Sequence, residues 1–207
     1  MTQRTWSRIE EARGQWNVLR HPFYRRWSAG GLSGEELARY SGQYRHAVEA
    51  IAALSELAAD AAPERTELWR HAEEERDHVA LWDDFVRAAG GCLDDRPTPE
   101  TAACVRAWTK AQRGREGDLT RALMALFAIE SGQPAISRIK REGLVERYGF
   151  ADDAGTAYFR VHEHRDEAHA AEARRLIEEL ASEPDEDRLV ATAEAAFRAN
   201  WRLLDGV

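Results

Sequence analysis

The segment His162-Glu163-His164-Arg165-Asp166-Glu167-Ala168-His169 sets two imidazoles and a carboxylate at helical steps of four and three: His162, Asp166 and His169. At 3.6 residues per turn these three fall within about 60° of one another on one face. The same line runs through Phe159, Ala173, Leu176 and Leu180, so its outer members are apolar, as in a core-facing stripe. Burying two imidazoles and a carboxylate together is costly unless each has a partner, and a shared metal ion would satisfy all three. The competing reading is a chance pattern on a charged, solvated face.

Two further segments repeat the arrangement. The line Leu68, His71, Glu75, His78, Trp82, Phe85, Ala89 is apolar at both ends and polar in the middle. Glu75 and His78 have the i, i+3 spacing that helical di-metal carboxylate sites use. Glu74, at i, i+4 from His78, is an alternative, although Glu67 interrupts its stripe, and the run Glu73 to Asp77 also reads as an acidic solvated face. Glu130 follows Phe127, Ala128 and Ile129 directly, so it should be buried, and a lone buried carboxylate would be protonated or paired, with Lys140 as a plausible partner. Together Glu75 (or Glu74), His78, Glu130, His162, Asp166 and His169 offer three carboxylates and three imidazoles. Mixed nitrogen and oxygen donors in this number suit two iron or manganese ions better than a structural zinc.

The elements that must carry these residues are helical almost throughout. Ala, Leu, Glu and Arg dominate and only six prolines punctuate the chain. Seven helices are expected: about Thr5 to Arg20; Ser33, with Glu36 completing a capping box, to Ala61; Pro63 to Gly90-Gly91; Thr98-Pro99-Glu100 to near Gly114; Asp118 to Tyr148-Gly149; Ala154 to Ser182; and Pro184-Asp185 to Leu204. Gly132 and Pro134 predict a kink in the fifth. No repeat or linker divides residues 1–207, so the expectation is an all-α, single-domain seven-helix bundle. The net charge of −8, without a basic stretch, argues against a nucleic-acid or anionic-membrane partner. Cys92 and Cys104 form neither a disulfide framework nor a metal-type spacing. With no signal-type apolar run and no membrane-length one, a cytoplasmic location is expected.

The residues resemble the heme-oxygenase-like di-metal oxidases, which use the TenA/PqqC-like helical fold. The resemblance rests on His21-Pro22-Phe23-Tyr24-x-x-Trp27-Ser28, His78-x-x-Leu81-Trp82, Glu130-Ser131-x-x-Pro134-x-Ile136, Lys140-x-x-Gly143-Leu144, and Ala157-Tyr158-Phe159 leading into the His162 motif. Within it, the chain is most similar to the self-sacrificing p-aminobenzoate synthases related to the chlamydial protein associating with death domains. The resemblance implies two non-haem metal ions (Fe/Fe or Mn/Fe), O2, an external reductant and a homodimer. In those enzymes a tyrosine supplies the ring and a lysine the amino nitrogen, in positions matching Tyr24 and Lys140, and a second tyrosine matches Tyr40. A third tyrosine of theirs is replaced here by Ile129, and a glutamate about two turns before His78 is replaced by His71. The choice among Glu75, Glu74 and His71 therefore stays open.

Of 29 basic residues only Lys110 and Lys140 are lysine. In a chain that otherwise uses arginine, a plain surface cation at 140 would have been Arg, whereas a buried amine can be neutral and nucleophilic and a guanidinium cannot. A buried ion pair with Glu130 is the alternative for Lys140, and simple packing is the alternative for Tyr24. Lys110 reads as a surface residue. Three functions remain to be separated: formation of p-aminobenzoate, a folate precursor, from Tyr24 and Lys140; oxidation of an external amino acid or fatty acid by N-oxygenation or C–C cleavage; and a non-enzymatic metal-binding or interaction protein. A thiaminase would need a cysteine near the ligand stripes, and a haem oxygenase would not need the carboxylates.

Overall fold

A computed structural model describes residues 1–109, 118–182 and 185–207. Among the described residues there is no strand, and the α-helices are α1 (Gln3–Gln15), α2 (Pro22–Ser28), α3 (Gly34–Ala61), α4 (Thr66–Ala88), α5 (Pro99–Thr109), α6 (Asp118–Glu130), α7 (Gln133–Arg147), α8 (Ala157–Leu180) and α9 (Glu186–Leu203). Nine helices stand where seven are expected from sequence, and both additions have local causes. His21 caps α2, its Nδ1 accepting from Phe23 N–H at 3.1 Å with Pro22 at the first helical position. The expected fifth helix does not kink but ends at Glu130 and restarts at Gln133, with Pro134 in the first turn of α7 where a missing N–H costs nothing.

The first helix also stops earlier than expected, at Gln15, because the Asn17 side chain accepts from Leu19 N–H at 3.0 Å and caps a separate 3-10 turn over Val18–Arg20. The Ser33–Glu36 capping box forms in both directions, at 3.2 and 2.8 Å. α4 closes at Gly90, whose φ of 72° is left-handed, while Gly91 N–H bonds Val86 O at 2.8 Å. Lys110 and Gly114 lie outside the described residues.

α3 runs through the middle, burying Tyr40, Tyr44, Ala47, Val48, Ile51 and Leu54, and it packs on α4, α5 and α6. α8 packs on α4, α6 and α7, so it joins the helices that carry the acids and imidazoles of interest. α2 packs on α7 at close range. A Cβ on Gly143 would sit 2.6 Å from Trp27 Nε1, and that indole donates to Lys140 O at 3.2 Å. This close approach brings Tyr24 beside Lys140. No helix among the described residues is long and apolar enough to cross a membrane.

Candidate metal centre

The α4 line is buried from Leu68 through His71, Glu75, His78, Trp82 and Phe85. On α8, Phe159, His162, Asp166, His169, Ala173 and Leu176 are buried, while Leu180, the expected last member of that stripe, is exposed. Glu130, at the end of α6, is buried as well. Donor atoms of His71, Glu75, Glu130 and His169 lie within 4.8 Å of one another, and so do those of Glu75, His78 and His162. Glu75 belongs to both groups, so they form one double cluster between α4, α6 and α8.

The histidines are oriented from behind. His162 donates from Nδ1 to Tyr158 O at 2.7 Å, which leaves Nε2 buried without a partner. His169 donates from Nε2 to Glu74 Oε2 at 3.1 Å and leaves Nδ1 buried without a partner. A second ring nitrogen fixed on a carbonyl or carboxylate is how metal-ligating histidines hold their tautomer. Glu74, partly exposed, is thereby placed behind His169, whereas Glu75 faces the cluster and accepts from His78 Nδ1 at 3.1 Å. His71 Nε2 is 2.9 Å from Glu130 Oε1, yet neither atom has hydrogen-bond geometry. Both oxygens of Glu130 and both of Asp166 are also unpartnered and buried.

Electrostatics describe the same convergence. Burial, with Glu130 and Glu75 adding like charge, pushes the Asp166 carboxyl well above its usual range. Burial alone would raise Glu75 too, but the His78 hydrogen bond and the nearby His162, His78 and His71 hold it below the usual carboxylate range. Burial pushes His162 down to about 4. For His71 burial is outweighed by Glu130, Glu75 and Glu74, which raise it to about 9. Glu75, Glu130 and four imidazoles converge in these two groups, while Asp166, an expected ligand, lies outside both with its Oδ1 3.9 Å from His169 Nδ1; so many buried acids and imidazoles are costly as protein alone. They fit a pair of transition-metal ions, whose binding would displace the protons held at His71 and Asp166.

Next to the cluster lies a second buried polar region. Lys140 is fully buried and, among the described residues, its Nζ has no hydrogen-bond partner and no carboxylate within ion-pair range, so the pairing with Glu130 open from sequence does not form. Five rings enclose the amine: Tyr44 at 4.5 Å, Tyr40 at 5.4 Å, Phe159 at 5.5 Å, and Tyr24 and Trp82 at 5.6 Å each. Burial pushes the amine down to about 7. The Tyr24 and Tyr40 hydroxyls are 3.1 Å apart, and burial raises both well above the ordinary phenol value, so both are neutral phenols. Tyr158 forms the wall between the regions: its ring stacks on His162 at 3.9 Å and meets Trp82 edge-on at 4.7 Å.

Sequence reasoning left His71 as one of three candidates and assigned no role to Tyr44 or Tyr158. The α4 stripe already carried the signal for His71. Tyr158 was not on the expected α8 line, but its position one turn before His162 carries the signal that puts it on the same face.

A family model described as an iron-containing redox enzyme matches residues 37–201. The chain is 31% identical over 198 residues to a 4-aminobenzoate synthase of Chlamydia muridarum, covering 91% of this chain and 84% of that protein. A TenA homologue from Pseudomonas syringae superposes with a TM-score of 0.84 at 20% identity, over 99% of this chain and 90% of that one. A heme-oxygenase-like domain of unknown function from Shewanella denitrificans superposes with a TM-score of 0.79 at 18% identity, over 95% and 88% of the two chains. The structural likenesses give the fold, an all-α heme-oxygenase-like bundle, and the family match together with the chlamydial relative shows that this chain belongs to the iron-containing redox enzyme family.

Proposed function

We propose that this redox enzyme is an O2-dependent di-metal oxygenase that forms 4-aminobenzoate from its own side chains, with the ring of Tyr24 and the nitrogen of Lys140. The observation that carries the reading is the Lys140 amine, desolvated, without an acid and 5.6 Å from the Tyr24 ring, one aromatic wall away from the acid–imidazole cluster. The chlamydial relative's name as a 4-aminobenzoate synthase supports it.

Glu75, His78, Glu130, His162, Asp166 and His169 would hold the two ions, Fe/Fe or Mn/Fe, with His71 as a seventh donor. When bound, the ions supply the site at which O2 is reduced, with electrons from an external reductant, and the oxidising power that reaches an aromatic ring. The chain does the rest. Glu74 and the Tyr158 carbonyl fix two of the imidazoles in the tautomer that presents a lone pair. The five-ring cage excludes water from Lys140, so its amine is available unprotonated near neutral pH, as a nitrogen donor requires. Tyr40 positions the Tyr24 ring through the 3.1 Å contact of their hydroxyls.

Anaerobic loading with iron and manganese, followed by O2 and reductant, tests this reading by intact mass. The expected result is a loss of mass mapped to the peptides bearing Tyr24 and Lys140, with no more than one aminobenzoate released per chain. Unchanged mass and a filtrate free of aminobenzoate would sink it. Replacing Tyr24 by Phe then separates self-consumption from oxidation of an external amino acid or fatty acid: continued turnover in that variant favours the external substrate.

A further inference from the structure

A cavity of about 330 Å3 lies beside the end of α6 that carries Glu130. Its lining includes Ile129 and Ser131, the two neighbours of Glu130 in the chain, and Glu167, which follows Asp166. Val18 and Leu19 from the 3-10 turn, Ile136 from α7 and Phe197 from α9 make most of the remaining wall apolar. Against that background three lining residues carry a buried polar atom with no hydrogen-bond partner: Arg13 Nε, Trp16 Nε1 and Ser131 Oγ. The first two can only donate, and the third can donate. Arg13 is already held in place, its guanidinium 5.6 Å from the Phe127 ring centroid and its terminal nitrogen 3.1 Å from Glu10, while Nε stays free.

An apolar space of this size with three unfilled donors, one of them on a guanidinium whose charge is shared with Glu10, is the complement of a small organic anion. Glu167 on the same lining sets a limit on charge, because a second negative group beside it would be repelled. Trp16 and Phe197 offer ring faces and edges to an aromatic body. We propose that this cavity is a binding site for a small aromatic monocarboxylate, held through its carboxylate by Arg13, Trp16 and Ser131 with its ring against Ile136 and Phe197. The site is distinct from the Lys140 cage. Its occupancy requires no turnover, so it stands or falls separately from the chemistry proposed for Tyr24.

Calorimetric titration of the metal-loaded protein with benzoate, under anaerobic conditions, is the direct test. Saturable binding is expected, with aniline, which lacks the carboxylate, giving none. Arg13→Gln should weaken benzoate by about tenfold or more, the cost of a charge-assisted pair. Chelation of the metals should leave the affinity unchanged. Ser131→Ala removes one hydroxyl only and should weaken benzoate severalfold, so the test stays decisive if Arg13→Gln lowers the melting temperature. No saturation at millimolar benzoate, affinity in both variants equal to that of the natural protein, or binding that disappears with the metals would each overturn the proposal, the last by placing benzoate on the ions.

Discussion

The acid–imidazole cluster and the Lys140 cage lie on either side of one wall, Tyr158 and Trp82, and both bury polar atoms that the protein leaves without partners. They do so with opposite arrangements. In the cluster, oxygen and nitrogen lone pairs from α4, α6 and α8 face one another within 4.8 Å, and acids outnumber any local cation. Around Lys140 a single amine faces five ring systems and, among the described residues, no acid. Converging lone pairs are relieved by a positive ion that enters from outside; an isolated amine is relieved by losing its own proton. One region is therefore built to acquire charge and the other to shed it.

The largest expected effect tests the first half of that contrast. Metal bound to the native state alone stabilises it by about 4 kcal/mol at a free concentration a thousandfold above its dissociation constant. Loaded and chelated protein should accordingly differ by several degrees or more in melting temperature. Glu130→Ala or His162→Ala should remove both that difference and most of the bound metal, measured by elemental analysis. Lys140→Met should keep the metal stoichiometry. A Lys140 variant that lost its metals would mean that the two regions are one.

A smaller, pH-dependent effect tests the second half. Burial pushes the Lys140 amine from 10.5 down to about 7. Between those values the unfolded chain binds a proton that the folded chain does not, so stability rises with pH across the window, by about 1.4 kcal/mol per pH unit. Below about pH 7 both states are protonated and the full penalty for the buried ammonium applies. Lys140→Met removes this slope. Its gain in stability over the natural protein, followed by urea unfolding, should be largest near pH 7 and shrink steadily toward pH 9. A gain independent of pH would show that the amine is not neutral inside the cage.

How much of this was legible in the sequence depends on whether a feature is local to one helix. The α4 and α8 stripes follow from periodicity alone, since apolar neighbours at both ends oblige His71, Glu75, His78, His162, Asp166 and His169 to turn inward. The rarity of lysine was enough to single out Lys140. What one helix cannot encode is distance to another. Glu74 sits on the face of α4 next to that of Glu75, and only the approach of α8 decides that it meets His169 from behind. Likewise Pro134 was read as a kink, because proline is tolerated both within a bent helix and at the start of a new one, and tertiary packing chose the second.

The smallest expected effect falls on the wall itself. The Tyr158 hydroxyl is buried without a partner, while its ring stacks on His162 and meets Trp82. Removing an unsatisfied hydroxyl and keeping the ring should be neutral or stabilise the fold by no more than about 1 kcal/mol, because a buried donor left unpaired already carries its desolvation cost. Tyr158→Phe should therefore unfold at nearly the same urea concentration as the natural protein and bind the same amount of metal, its His162 carbonyl contact being a main-chain one. A loss of 2 kcal/mol or more in the loaded protein, absent after chelation, would mean that the hydroxyl finds a partner once the cluster is filled. The wall would then connect the two regions through a hydrogen bond instead of separating them.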